Sequence, residues 1–336
     1  MVSKAKSVAC FAVLVFIAAA PQVQEKQVGN YKLKGPFTSE NLTLFLIAES
    51  DAAAQPNHYM PLNEALDGGA FTVYETGDVD QLSVENRSDR PVFIQAGDIV
   101  KGGNQDRVLA TDLIVPPNSG KIAIASFCVE HGRWSQRQEE SHKEFGSANQ
   151  RIASKGMRKA MRGKSKSQQE VWANVANDQQ KLSNNLQGNV AAQESASSYQ
   201  LSLENEALQQ RVVLHRDSLS GLLELAPNTI GVAFIINGSF SNADVYGSPA
   251  LFRQLWPRLL EAAITEAISE RDAPQTAGND SWMNELLRLT LAPSARRQED
   301  TERMAYEQLE SDNLMGFRTL DKASRRVVHY SWDAKH

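Results

Sequence analysis

Between Asn41 and Val129 the chain is cut into short strand-prone runs at residues 42–47, 71–75, 82–86, 92–95, 112–115 and 122–129, separated by Gly, Pro, Asn and Asp. Alternating and β-branched runs bounded by such residues read as strands and turns. The gaps are mostly too short for the crossover that a parallel pair needs, about a dozen residues or more, whereas an antiparallel pair closes through a tight turn. The spacing therefore predicts antiparallel pairing in a β-sandwich or a partly closed barrel. A short helix at 62–66, stopped by Gly68 and Gly69, interrupts the series.

From 138 to 215 the character changes to polar and helix-prone, rich in Gln, Asn, Ser, Glu and Lys. Val171, Trp172, Val175, Leu182 and Leu186 recur near helical spacing, so one narrow face is expected to meet the core. This segment reads as a helical insertion. Residues 230–236 are a buried strand that turns at Asn237-Gly238. Leu251, Phe252, Leu255, Trp256, Leu259, Leu260, Ala263, Ile264, Ala267 and Ile268 give residues 249–271 one apolar helical face. A second helix is expected over 281–291, and a hairpin over 313–320 and 326–332. Together these predict a single α+β domain over 21–336, with packed C-terminal helices. At 41% hydrophobic and 22% charged, 336 residues are enough for a sizeable core.

The N-terminus has Lys4 and Lys6, an apolar run over 8–20, and then polar residues. That order is expected of a secretory signal peptide over 1–20, with an exported protein, periplasmic or secreted, as its product. The run falls short of the roughly 20 residues that span a bilayer as a helix, and no later stretch is long and apolar enough, so no integral membrane segment is expected in the mature form. Loss of the leader takes Cys10 and moves the formal net charge from −5 to about −7. The acidic balance argues against nucleic-acid binding, and Cys128, the remaining thiol, has no intrachain partner for a disulfide.

No Gly-x-Ser-x-Gly, His-Glu-x-x-His or Cys-x-x-Cys occurs, and the six histidines have no metal-ligand spacing. Neither a metal nor a cofactor is implied. Gly163-Lys164-Ser165 imitates the end of a P-loop, but Arg158 stands where that motif's first glycine belongs. Residues 151–166 hold seven cations and no acid, which suits contact with an anion and equally a solvated helix face balanced by Glu139, Glu140 and Glu144.

Two motifs point to a ligand. In the turn 101–107, Gly102 and Gly103 permit positive φ and close backbone approach, and Lys101, Gln105 and Arg107 offer donors from one rim. A plain hairpin turn holding an internal ion pair fits the same residues. In 128–134 a strand runs out into a turn, with Arg133 suited to an anion, Trp134 to stacking and Glu130 to polar contact. A structural Glu130–Arg133 pair under a packed Trp134 is the alternative. Strand alternation sets Cys128 beside Glu130, whose carboxylate disfavours a thiolate, so Cys128 is expected to be structural.

With Ala96-Gly97-Asp98, the segment 59–66, Glu170-Val171-Trp172, and Asn237-Gly238 through Tyr246-Gly247, these motifs resemble the ADP-ribosylglycohydrolase and rhodanese-phosphatase-associated protein domain family. The resemblance covers most of the mature chain and implies a link to ADP-ribose or NAD metabolism. The functional expectation is binding of a small anionic or nucleotide-like ligand through Lys101, Gln105, Arg107, Glu130, Arg133 and Trp134. A hydrolase with Glu130 or Asp112 as general base is the second reading, and a scaffold meeting a protein partner through 138–215 the third.

Overall fold

The computed structural model describes residues 23–49, 58–162, 166–271, 273, 281–291, 296–297, 301 and 303–335. The leader and its cleavage point lie outside the described residues. The fold is α+β, built from a closed barrel and a large antiparallel sheet with helices between and around them.

Six strands close the barrel in the order Ile122–Cys128, Gln81–Asn86, Phe71–Tyr74, Glu144–Ile152, Asp98–Gly102 and Arg107–Leu109, the last pairing back onto the first. Buried residues of the inner face such as Val73, Leu82, Val84, Val100, Leu109 and Ile124 fill it. A three-stranded sheet, Leu113–Val115, Val92–Ile94 and Met60–Pro61, lies beside it. Its pairing of Met60–Pro61 with Val92 and Phe93 is parallel, against the antiparallel expectation. The helix Leu62–Asp67 follows directly, so this pair is reached through a long connection and not a hairpin.

The large sheet has nine strands, running in space Gln24–Val28, Tyr31–Ser39, Leu42–Glu49, Thr229–Ile236, Ser239–Tyr246, Arg326–Ala334, Leu314–Asp321, Met304–Glu310 and Arg296–Arg297. Every residue of Thr229–Ile236 is buried, because both faces of this strand are covered. On one side lies the helix Pro249–Ser269, started by the Ser248 hydroxyl accepting from Leu251 N–H and by Pro249 in its first turn. It buries Phe252, Leu255, Leu259 and Ile264 in the main core. On the other side Trp282, from the helix Ser281–Leu291, stacks on Phe240 with ring centroids 5.2 Å apart.

The polar segment 138–215 departs from its expected form. It first supplies Glu144–Ile152 to the barrel, and only then turns into the helices Lys155–Arg162, Gln168–Leu186, Tyr199–Leu203 and Glu206–Leu219. It is thus not a separable insertion: removing it would open the barrel. The expected face of Gln168–Leu186 is present, with Val171, Val175 and Leu182 buried. Among the described residues no helix is long and apolar enough to cross a membrane.

Candidate functional site

The turn 101–107 joins the barrel strands Asp98–Gly102 and Arg107–Leu109. Gly102 and Gly103 have φ of 123° and 55°, where side chains are strained. A Cβ on Gly103 would fall 2.2 Å from Cζ of Phe145, so this glycine is needed for core packing. Asp106 closes the turn by accepting from Gly102 N–H at 3.0 Å, while its own N–H donates to Glu130 Oε2 at 3.0 Å.

Around these two carboxylates the second motif assembles a buried charge cluster. Arg137 donates to both Asp106 oxygens, at 3.0 and 2.9 Å, and lies 3.3 Å from Glu130 Oε1. Arg133 sits 2.7 Å from Glu130 Oε2 and donates to the carbonyls of Gly103 and Gly102 at 3.1 and 3.2 Å. Ser198, from the start of a helix, donates to Asp106 Oδ2 at 2.8 Å. Burial, with the neighbouring Glu130 charge, raises the Asp106 carboxyl above its usual range against the pull of Arg137, while donors engage both its oxygens. Burial also acts against charge on Glu130, but the hydrogen bonds from Arg133, Ser195 and Asp106 N–H outweigh it and hold the carboxyl below its usual range.

The six expected site residues are therefore gathered at one end of the barrel, with most of their polar groups engaged inside the chain. Lys101 bonds both oxygens of Glu204 at 2.8 Å. Gln105 is buried. Arg107 is fully buried, donates to Val79 O at 3.0 Å and contacts Cys128 Sγ, and lies 3.6 Å from Glu75 Oε2. Trp134 is 51% exposed and lies over Arg107, 5.7 Å from its guanidinium. Cys128 is buried, and burial pushes its thiol up to about 11 against the pull of Arg107.

Beside this cluster a cleft of about 310 Å³ opens between the barrel strand Ile122–Cys128 and the helices Lys155–Arg162 and Gln168–Leu186. Val79 belongs to both places, since its carbonyl takes the Arg107 hydrogen bond and the residue lines the cleft. Gln168 fixes the far wall, accepting from Cys128 N–H and donating to Cys128 O, both at 2.8 Å. Ser126 lines the cleft, is 1% exposed, and its hydroxyl has no hydrogen-bond partner. Arg162 and Lys166 line it as well. Arg162 donates to Ser331 Oγ at 3.0 Å, stands 3.9 Å from Asp333 Oδ2 and covers the Phe317 ring at 4.7 Å. The N-terminus of Gln168–Leu186, with its partial positive charge, adjoins the same space.

A second buried network holds Asp112, the other carboxylate considered as a base. Its Oδ2 lies 2.8 Å from His329 Nδ1 and accepts from Thr319 at 2.7 Å, and its Oδ1 accepts from Ala96 N–H at 2.8 Å. His329 Nε2 lies 3.0 Å from Asp244 Oδ1, so both ring nitrogens face carboxylates, and Tyr246 stacks on the ring at 4.5 Å. Burial disfavours the imidazolium, but Asp112 and Asp244 outweigh it and raise His329 to about 9. Burial likewise opposes charge on Asp112, yet His329 brings it down to about 2.

Arg137, Ser198, Ser126, His329 and Asp244 were not singled out in the sequence. The acid-free run 151–166 was the one signal for Arg162. Among the described residues no group of three His, Cys, Asp or Glu is set to hold a metal ion.

A closed barrel joined to a nine-stranded sheet, with a buried Arg–carboxylate cluster at one barrel end, defines the class of protein. The family model of the ARG and Rhodanese-Phosphatase-superfamily-associated Protein domain matches residues 30–332, and the chain belongs to that family. No curated protein and no solved structure matches it.

Proposed function

We propose that this protein is an exported binding module for a small anionic, nucleotide-like ligand, seated in the cleft lined by Ser126, Arg162 and Lys166. The observation that carries this reading is the pair of cations in the cleft lining, Arg162 and exposed Lys166, beside the N-terminus of the helix Gln168–Leu186. Cations and a helix N-terminus both favour negative charge in the space they border. Arg107 and Arg133 serve the scaffold in this reading, because their charges face Glu75, Glu130 and Asp106. Glu130 and Asp112 are saturated with donors and buried, which favours binding over hydrolysis by a carboxylate base. Export rests on Lys4, Lys6 and the apolar run that follows. We read ARG in the family's description as ADP-ribosylglycohydrolase, which places ADP-ribose among the nucleotides to try. Calorimetry of the mature chain with inorganic phosphate, AMP and ADP-ribose tests the proposal. Binding that Lys166→Ala weakens supports it; heats no greater than dilution for all three contradict it.

A further inference from the structure

We infer that the cleft takes a sugar phosphate, with the phosphate held by Arg162 and Lys166 and the sugar hydroxyls by the Asp80 carboxylate of the same lining. This rests on the reading of the cleft as an anion site and adds the other half of the ligand. A site built for a bare anion gains nothing from a carboxylate in its lining, since like charges repel. Asp80 nevertheless lines this cleft and is exposed, and among the described residues its carboxylate has no intrachain partner. Cations and a free carboxylate in one cleft suit a ligand that is an anion at one end and a hydrogen-bond donor at the other. Hydroxyl groups meet that need, because a carboxylate only accepts.

The rest of the lining agrees. Thr111 adds a hydroxyl to the lining, and half-buried Phe127 offers an apolar face to the C–H side of a sugar ring. The volume, about 310 Å³, stands at the low end of small-molecule sites, which run from about 300 to 1,000 Å³. It suits a free sugar phosphate, or the sugar phosphate of a larger nucleotide whose base remains outside near exposed Val79.

The test is calorimetry on the mature chain with inorganic phosphate, ribose 5-phosphate, glucose 6-phosphate and AMP, against wild type, Asp80→Asn and Lys166→Ala. Both substitutions are at exposed positions. For wild type we expect at least one sugar phosphate to bind about tenfold or more tighter than inorganic phosphate. Asp80→Asn should erase that margin while leaving inorganic phosphate as tight or tighter. Lys166→Ala should weaken every ligand. Tighter binding of AMP than of the free sugar phosphates would assign the sugar phosphate to a nucleotide, and the reverse order to a free metabolite. Phosphate binding with no margin for either sugar, or a margin that survives Asp80→Asn, overturns the inference and leaves the anion site standing. Absence of binding by all four ligands removes both.

Discussion

Arg137 and Asp106 form a two-point pair, with Nη1 3.0 Å from Oδ2 and Nη2 2.9 Å from Oδ1. Their side chains are 5% and 0% exposed, so neither charge has water to fall back on. Removing one partner of such a pair strands the other, at a cost of about 3–5 kcal/mol. Arg137→Ala should therefore lower the free energy of urea unfolding by about that much. A change under about 0.5 kcal/mol, the usual range for a surface substitution, would show that the pair does not hold the barrel end.

The His329 network makes stability depend on pH in a defined direction. His329 is raised to about 9, so its contribution is complete below its ordinary value near 6.5 and is lost as pH rises through about 9. Asp112, lowered to about 2, contributes above its ordinary range and loses that contribution as pH falls through about 2. Thermal unfolding from pH 6 to 10 should show Tm falling on the alkaline side, and His329→Gln should flatten that limb. An alkaline limb unchanged in the variant would contradict the assignment.

Asp178 behaves in the opposite sense to a paired carboxylate. It lines a small cavity with Ser154, Glu261 and Glu266, and its Oδ2 is buried without a partner. Burial, with Glu266 and Glu270 adding repulsion, raises it to about 7. An acid raised on folding stabilises below its unfolded value and loses that stabilisation as pH rises through its folded one. Asp178→Asn, which keeps the side chain neutral, should approach wild type only below about pH 4, the ordinary aspartate range, and exceed it in Tm by a margin that grows up to about pH 7 and persists at pH 8. Equal Tm at pH 8 would show that the carboxylate is solvated.

Cys128 should resist alkylation in the folded protein at pH 7, because burial and a thiol near 11 leave little thiolate. Labelling should become rapid in denaturant, and Cys128→Ala should change stability without changing ligand affinity. Rapid labelling of the native chain would mark Cys128 as a reactive thiol and contradict its structural role.

Where one element's side-chain period decided its place, the sequence was readable. The apolar face of Pro249–Ser269 and the terminal hairpin Leu314–Asp321 with Arg326–Ala334 came out where expected. The barrel stave Glu144–Ile152 did not, because polar EFGSANQRI carries no strand-like alternation and is recruited by its neighbours Phe71–Tyr74 and Asp98–Gly102. Tyr31–Ser39 was hidden by Gly35-Pro36, which reads as a turn but lies where the strand register shifts between Lys34 and Phe37. At the site, the two motifs named the right end of the barrel. Their partners, Ser198 for Asp106 and Glu204 for Lys101, lie 92 and 103 residues away, and no local pattern connects them.

Backbone NMR of isotope-labelled mature protein titrated with ribose 5-phosphate would locate the ligand on the chain directly. Dose-dependent amide shifts are expected to concentrate at Asp80, Ser126, Phe127 and Gln168 around the cleft, with Gly103 and Arg133 nearly still. Shifts concentrated instead on the turn 101–107 and on Arg133 and Trp134, or none at saturating ligand, would contradict the cleft as the binding site.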